Sequence, residues 1–263
     1  MIQFDIKRFG KLAKWSMLGD KRYFVKTFLQ FLVVILLVFV FFTMIVKMGG
    51  SPLMGYRSCA IAEFAVVIVN IVLGPALMFY SMEGKHDMQT LMMLPASNFE
   101  KYLVRYSNWI IVVAVSIVAC LVADGLQYLL HLLFGHDYGM FVTSMLWHIF
   151  GEFATHTSEA ALPRFILSVI TLAIWVQSLY AVGATLFRTR KFNWVITTVV
   201  IILIGMLFVK YLGKVEAIQL NDHSEMMDFV IGLGFYLGWA MINYWLSYRF
   251  FCRTQVRNRF VNL

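Results

Sequence analysis

The sequence predicts an all-α integral membrane protein with six transmembrane helices, and two observations carry that expectation. One is composition: of 263 residues, 61% are hydrophobic and only 14% charged. The mean hydropathy of +0.77 means more apolar surface than a water-soluble fold of this size can bury in one core. The other is pattern. Six apolar runs of about 20 residues recur along the chain, each near the length that crosses roughly 30 Å of hydrocarbon. The pieces between them are about 30 residues or shorter, too short for a soluble catalytic domain.

The spans are expected at 27–46, 60–80, 109–134, 165–187, 194–212 and 229–251, within a single membrane domain covering 1–263. The first is an unbroken block of Phe, Val and Leu between Lys26 and Lys47. It has no small-residue cleavage site, so it reads as a retained helix and not a removable signal. The second carries Pro75 near its inner end, a kink that membrane helices tolerate where neighbours satisfy the freed carbonyl. The third is long enough to need tilt, and the last three match the bilayer closely. An even number of spans puts both termini on one side. Of the 22 Lys and Arg residues, all but Lys47, Arg57, Arg164, Lys210 and Lys214 flank that side, which makes it cytoplasmic. The net charge of +8 then serves topology and contact with anionic headgroups of the lipid bilayer, with no nucleic acid partner. Cys59, Cys120 and Cys252 are too scattered for a zinc cage or a disulfide framework and read as packing residues. No metal site is expected.

Two stretches outside the spans show helical amphipathicity. Within 1–24, Ile2, Ile6, Phe9, Leu12, Ala13 and Met17 share one arc while Lys7, Lys11 and Lys14 lie opposite, which predicts an interfacial helix on the inner leaflet. From Phe141 to Phe153, apolar residues recur at helical spacing and predict a second surface helix, on the outer side.

The loop at 81–106 is the most informative segment. It runs through Glu83 and Gly84 to Thr90-Leu91-Met92-Met93-Leu94-Pro95-Ala96-Ser97. The run from Leu91 to Leu94 is apolar with no lipid to cover it, and Pro95 stops it. Ser97 can then cap a new helix, with Glu100 three residues on completing a capping box. A short helix with exposed Met and Leu is a docking element for a partner's groove.

An acidic-Gly segment, then Thr-Leu-Met-Met-Leu-Pro-Ala-Ser, then Lys101 before the next span resembles the corresponding loop of ABC-2 type transporter permeases. The resemblance covers most of the chain as topology and 80–105 as motif. It implies a cytoplasmic coupling helix at Thr90 to Leu94 seated on an ABC ATPase subunit, begun by Glu83 and Gly84 and ended by Pro95, Ala96 and Ser97. It further implies a connecting helix at the N-terminus, a second permease subunit in a homo- or heterodimer, export as the direction of transport, and a bacterial cytoplasmic (inner) membrane. One departure is visible: 213–228 is short and polar where the family often has a re-entrant apolar hairpin. No GxxxxGK[ST] string occurs, so ATP belongs on the partner, and this chain is expected to hold no cofactor and to be no enzyme.

Other features leave alternatives open. Asp124, Gln127 and His131 fall on one face of the third span, as a translocation path would or as a face meeting headgroup water. His148, Glu152 and His156 recur every four residues but lack HExxH and equally suit the wet side of a surface helix. Gly234 and Gly238 form a small-xxx-small pair permitting close helix contact, and Asn70, Gln177 and Asn243 are interhelical hydrogen-bonding residues. An intramembrane protease using Glu63, His131 or His148 lacks any paired nucleophile and base. A non-transporting sensor or scaffold whose loop docks another protein remains the alternative to transport.

Overall fold

In the computed structural model, residues 4–49, 51–79, 89–91, 93–133, 141–156, 161–187, 192–212 and 225–253 are described. The regular elements among them are helical. They are α1 (Ile6–Gly19), α2 (Lys21–Lys47), α3 (Pro52–Leu73), α4 (Asn98–Leu133), α5 (Val142–His156), α6 (Ala161–Leu186), α7 (Asn193–Leu212) and α8 (Glu225–Cys252), with a 3₁₀ turn at Gly74–Leu77. Five helices are long and apolar enough to cross a membrane: Lys21–Lys47, Leu53–Leu77, Asn98–Leu129, Ala161–Leu186 and Phe229–Cys252. The chain is therefore a multi-pass helical membrane protein. α7 is described in full only to Met206, and that stretch is shorter than a span.

The helix limits correct the expected ones where polar residues continue an apolar run. The N-terminal helix ends at Gly19, and the cations from Lys21 to Lys26 belong to the first turns of α2. Gly49, at φ +111, makes the left-handed turn after α2. α3 then begins at Pro52 and not near 60, because Ser51 Oγ accepts the Met54 N–H at 3.2 Å and caps it. Where Pro75 withholds its N–H, the α-helix tightens into the 3₁₀ turn, and Asn193 Nδ2 donates to the Ala76 carbonyl at 2.8 Å. α4 begins at Asn98, directly after the Ser97 cap that the sequence predicts and well ahead of the apolar span expected from 109; its 36 residues make roughly 54 Å of helix, well beyond the hydrocarbon thickness.

The chain divides into two compact units. Unit 1 holds Met1–Trp15, Val72–Trp109 and Ile166–Leu263; unit 2 holds Ser16–Ile71 and Ile110–Phe165. Unit 2 is organised on Ile35, Phe39, Cys59, Ala60, Cys120, Ala123, Val142 and Met145. Here α5, the surface helix expected from 141 to 153, lays Val142, Met145, Leu146 and Ile149 onto that core while Trp147 stays exposed. Glu152 pairs with Arg57 at 3.4 Å, both side chains exposed. Such a pair adds little stability.

Unit 1 ties its helices with polar side chains that find partners inside the bundle. Tyr102 Oη donates to Ser247 Oγ at 3.0 Å, and Ser247 donates to the Ala181 carbonyl at 2.9 Å. Asn243 Nδ2 donates to Ser178 Oγ at 3.0 Å, and the Tyr106 and Tyr244 hydroxyls share a 2.9 Å bond. Each bond spares a buried polar group the cost of going unmet. Within this chain the close helix approach lies at Gly183, not at Gly234 or Gly238. A Cβ at either would meet open space, whereas one on Gly183 would overlap the Thr197 side chain, with the Thr197 Cβ 2.8 Å away.

That contact makes a prediction. Gly183→Ala should destabilise the protein by about 1–3 kcal/mol through overpacking, while Gly234→Ala should be neutral or stabilise by up to about 1 kcal/mol. Thermal unfolding in one detergent, run on both variants, checks this: equal Tm values would mean that α6 and α7 do not meet at Gly183.

Candidate docking site

The loop expected to dock a partner leads into α4, and the start of α4 is built by its own sequence. Ser97 Oγ accepts the Glu100 N–H at 3.2 Å while the Glu100 carboxylate accepts the Ser97 N–H at 2.8 Å. This is the reciprocal capping box that the Ser-x-x-Glu spacing predicts.

Glu100 also anchors a second helix. Asp5 caps α1, its Oδ1 accepting the Lys7 N–H at 2.8 Å and its carbonyl accepting the Phe9 N–H at 2.9 Å. The Asp5 N–H donates to Glu100 Oε1 at 2.7 Å. Arg8 grips the same carboxylate with both arms, Nη2 to Oε1 at 2.7 Å and Nε to Oε2 at 2.8 Å. Each oxygen thus receives two donors, which fills the roughly four lone-pair sites of a carboxylate. Two helix N-termini, each worth about half a positive charge, and one guanidinium converge on a single buried anion. The Glu100 hydrogen bond raises the Arg8 pKa above its ordinary value.

Apolar contacts complete the mount. Phe9, Leu12 and Ala13 of α1 pack with Leu94, Ala96 and Val104. The apolar arc of α1 is therefore divided: its middle faces the protein, and Ile6 and Met17 remain exposed. Lys101 and Arg105, expected as loop cations, are buried at the foot of α4.

In the loop itself, residues 89–91 and 93 are helical. The chain then turns about Pro95, with the Ala96 N–H donating to the Leu94 carbonyl at 2.8 Å. Leu91 is fully buried among Met78, Phe79, Tyr102 and Phe251, and Leu94 packs on this cluster and on the α1 contact. Thus Leu91 is not displayed to a partner, contrary to the expectation for the Leu91 to Leu94 run. Leu91, in the helix, and Leu94, in the bend that follows it, both turn toward a core. Met93 lies off it and is 82% exposed, beside an exposed Pro95. Thr90 is exposed, Ser97 half-buried and Ala96 buried. Glu83, Gly84 and Met92 lie outside the described residues.

The candidate path residues sit in unit 2. Asp124 is buried and committed to the start of α5: its carboxylate accepts the Val142 N–H at 2.7 Å, the Thr143 N–H at 3.1 Å and the Thr143 hydroxyl at 2.7 Å. Gln127 is buried, with no partner for its Oε1 among the described residues. The side chain of His131 lies outside the described residues. Among those residues, no three His, Cys, Asp or Glu side chains form a group able to hold a metal ion.

Sequence reasoning missed Asp5 and Arg8 as parts of this site. Arg8 carried no signal beyond its charge, and Asp5 could have been found as a cap one residue before an amphipathic helix. No family model matches the chain, and neither a curated protein nor a solved structure matches it.

Removing the Glu100 carboxylate should free α1. Glu100→Ala is expected to speed amide exchange over residues 6–15 several-fold and to open Lys7 and Arg8 to trypsin, whereas Ser97→Ala should cost only about 1 kcal/mol through loss of the cap. Unchanged exchange in Glu100→Ala would show that α1 is held by its apolar contacts alone.

Proposed function

We propose that this chain is the permease subunit of an ATP-driven transporter of the ABC-2 type. It has six spans and cytoplasmic termini in a bacterial inner membrane, works with a second permease subunit, and docks a separate ATPase through the loop at 81–97. Export is the proposed direction. The observation that carries this reading is the mounting of the loop. Leu91 and Leu94 root its short helix in unit 1, Glu100 and Ser97 fix its exit into α4, and Met93 projects into solvent. A coupling element must be exposed at its tip and stiff at its base, because a flexible loop would absorb motion instead of passing it on. α1, held on the same carboxylate, fits the role of the connecting helix. The proposed docking face is narrower than the motif: Met93 and Pro95 supply contact, while Leu91, Leu94 and Ala96 support it. Asp124 is left out of any cargo path because its carboxylate is already filled by α5.

The test is purification of the complex and assay of its ATP hydrolysis, which this chain without a P-loop cannot itself supply. ATPase activity should co-purify with the tagged chain. Met93→Asp should lower the bound ATPase on the order of tenfold or more, as for a buried interface anchor, with Tm unchanged. Leu91→Asp should instead unfold the base. A complex without ATPase activity, or a Met93→Asp variant that binds the ATPase as well as the parent, would sink the proposal; a bound regulatory kinase in its place would mean sensing.

A further inference from the structure

Independently of that reading, unit 2 contains a carboxyl group to which nothing above assigns a role. Glu63 lies near the middle of the Leu53–Leu77 span and is 3% exposed. Neither of its oxygens has a hydrogen-bond partner among the described residues. Its titratable neighbours are Cys59, one turn back on α3, and Cys120 and Asp124 on α4. The Cys120 thiol lies against the carboxyl, but neither Glu63 oxygen meets it in hydrogen-bonding geometry. The core around these cysteines takes Ile35 and Phe39 from α2 and Val142 and Met145 from α5, none of them titratable.

We propose that Glu63 is a proton-binding site within the membrane-spanning part of the protein, its carboxyl holding a proton at neutral pH. The geometry supports this in three ways. First, an ionised carboxylate needs strong donors or a cation, and among the described residues the surroundings offer only the weak donor of the Cys120 thiol. Second, Asp124 lies close by and takes up the three donors at the start of α5, so none of them is offered to Glu63. Third, the Gln127 Oε1 on the same face of α4 is another buried acceptor with no donor among the described residues. Ionising Glu63 would enlarge that excess of acceptors, while protonating it adds a donor. The proposed ligand is the proton, and among the described residues no three His, Cys, Asp or Glu side chains form a group able to hold a metal ion.

A hydrophobic carbodiimide tests the proposal on the full chain in lipid bilayers. A protonated carboxyl adds across the C=N bond, its proton moving to nitrogen, and the acyl group then shifts to give a stable N-acylurea with nothing released. Peptide mass spectrometry should find Glu63 modified at neutral pH, and the modification should fall at least tenfold in strongly alkaline buffer. Asp124 and the exposed Glu152 should stay unmodified in hydrophobic reagent. Infrared difference spectra of the parent against Glu63→Gln should lose one protonated-carboxyl band. Should Glu63→Gln fail to fold, the labelling of the parent still decides. An unlabelled Glu63 at neutral pH, or a spectrum that loses a carboxylate band instead, overturns the proposal.

Discussion

The convergence of two helix N-termini and one guanidinium on the Glu100 carboxylate is the interaction on which the end of unit 1 at the start of α4 depends. Each helix start leaves backbone N–H groups without intrahelical acceptors and carries a partial positive charge. A carboxylate satisfies both needs, and its four acceptor sites let one residue serve α1 and α4 together. Burial makes this arrangement exacting. Outside water, Glu100 holds its charge only because every lone pair is met, and each donor would be left bare without it. The position of α1, the entry of α4 and the exit from the loop therefore form one constraint.

Unit 2 repeats the device with Asp124, which sits on α4 and satisfies the first N–H groups of α5. In both cases an acid on one helix closes the N-terminus of another, so a charge that would be costly among apolar helices becomes a link between them. Glu63 marks the contrast. It has the same chemistry and comparable burial, but among the described residues no helix start and no cation is offered to it. What separates a structural carboxylate from a proton-binding one in this protein is the supply of donors, not depth.

Legibility in the sequence follows the range of each interaction. The Ser97 and Glu100 capping box is local, three residues apart, and its signature predicts its geometry. The α5 helix is also local, announced by apolar residues at helical spacing, and the apolar stretches of α2, α4, α6 and α8 are plain from hydropathy. The lower part of α4 is legible from that cap but not from hydropathy, because a window tuned to lipid stops where Lys101 and Arg105 begin, although these are enclosed by protein. The start of α3 was hidden in the same way by Tyr56 and Arg57. Leu91 shows the deeper limit. Its run reads as exposed because the sequence contains no lipid-length segment to cover it, yet Met78, Phe79, Tyr102 and Phe251 arrive from three other places in the chain. Arg8 finds Glu100 across 92 residues, a pairing that no spacing rule encodes.

The inward turn of Leu91 sharpens what the loop can do. A docking helix with every apolar residue exposed would bind a partner but hang loosely from its own chain, so that force on it would be spent in bending. Here, Leu91 and Leu94 are locked into the aromatic cluster of Tyr102, Tyr248 and Phe251, which also contains the foot of α4 and the end of α8. A push on Met93 therefore meets the Leu91 and Leu94 roots within one helical turn, and from there the side chains that fix two transmembrane helices. The bond from Tyr102 to Ser247 and on to the Ala181 carbonyl extends the same rigid path to α6. Coupling through such a chain needs no flexible element between the loop and the spans. The apolar run is thus divided, with Met93 exposed while Leu91 and Leu94 pack inward, and it is the two packed residues that tie this segment to the membrane helices.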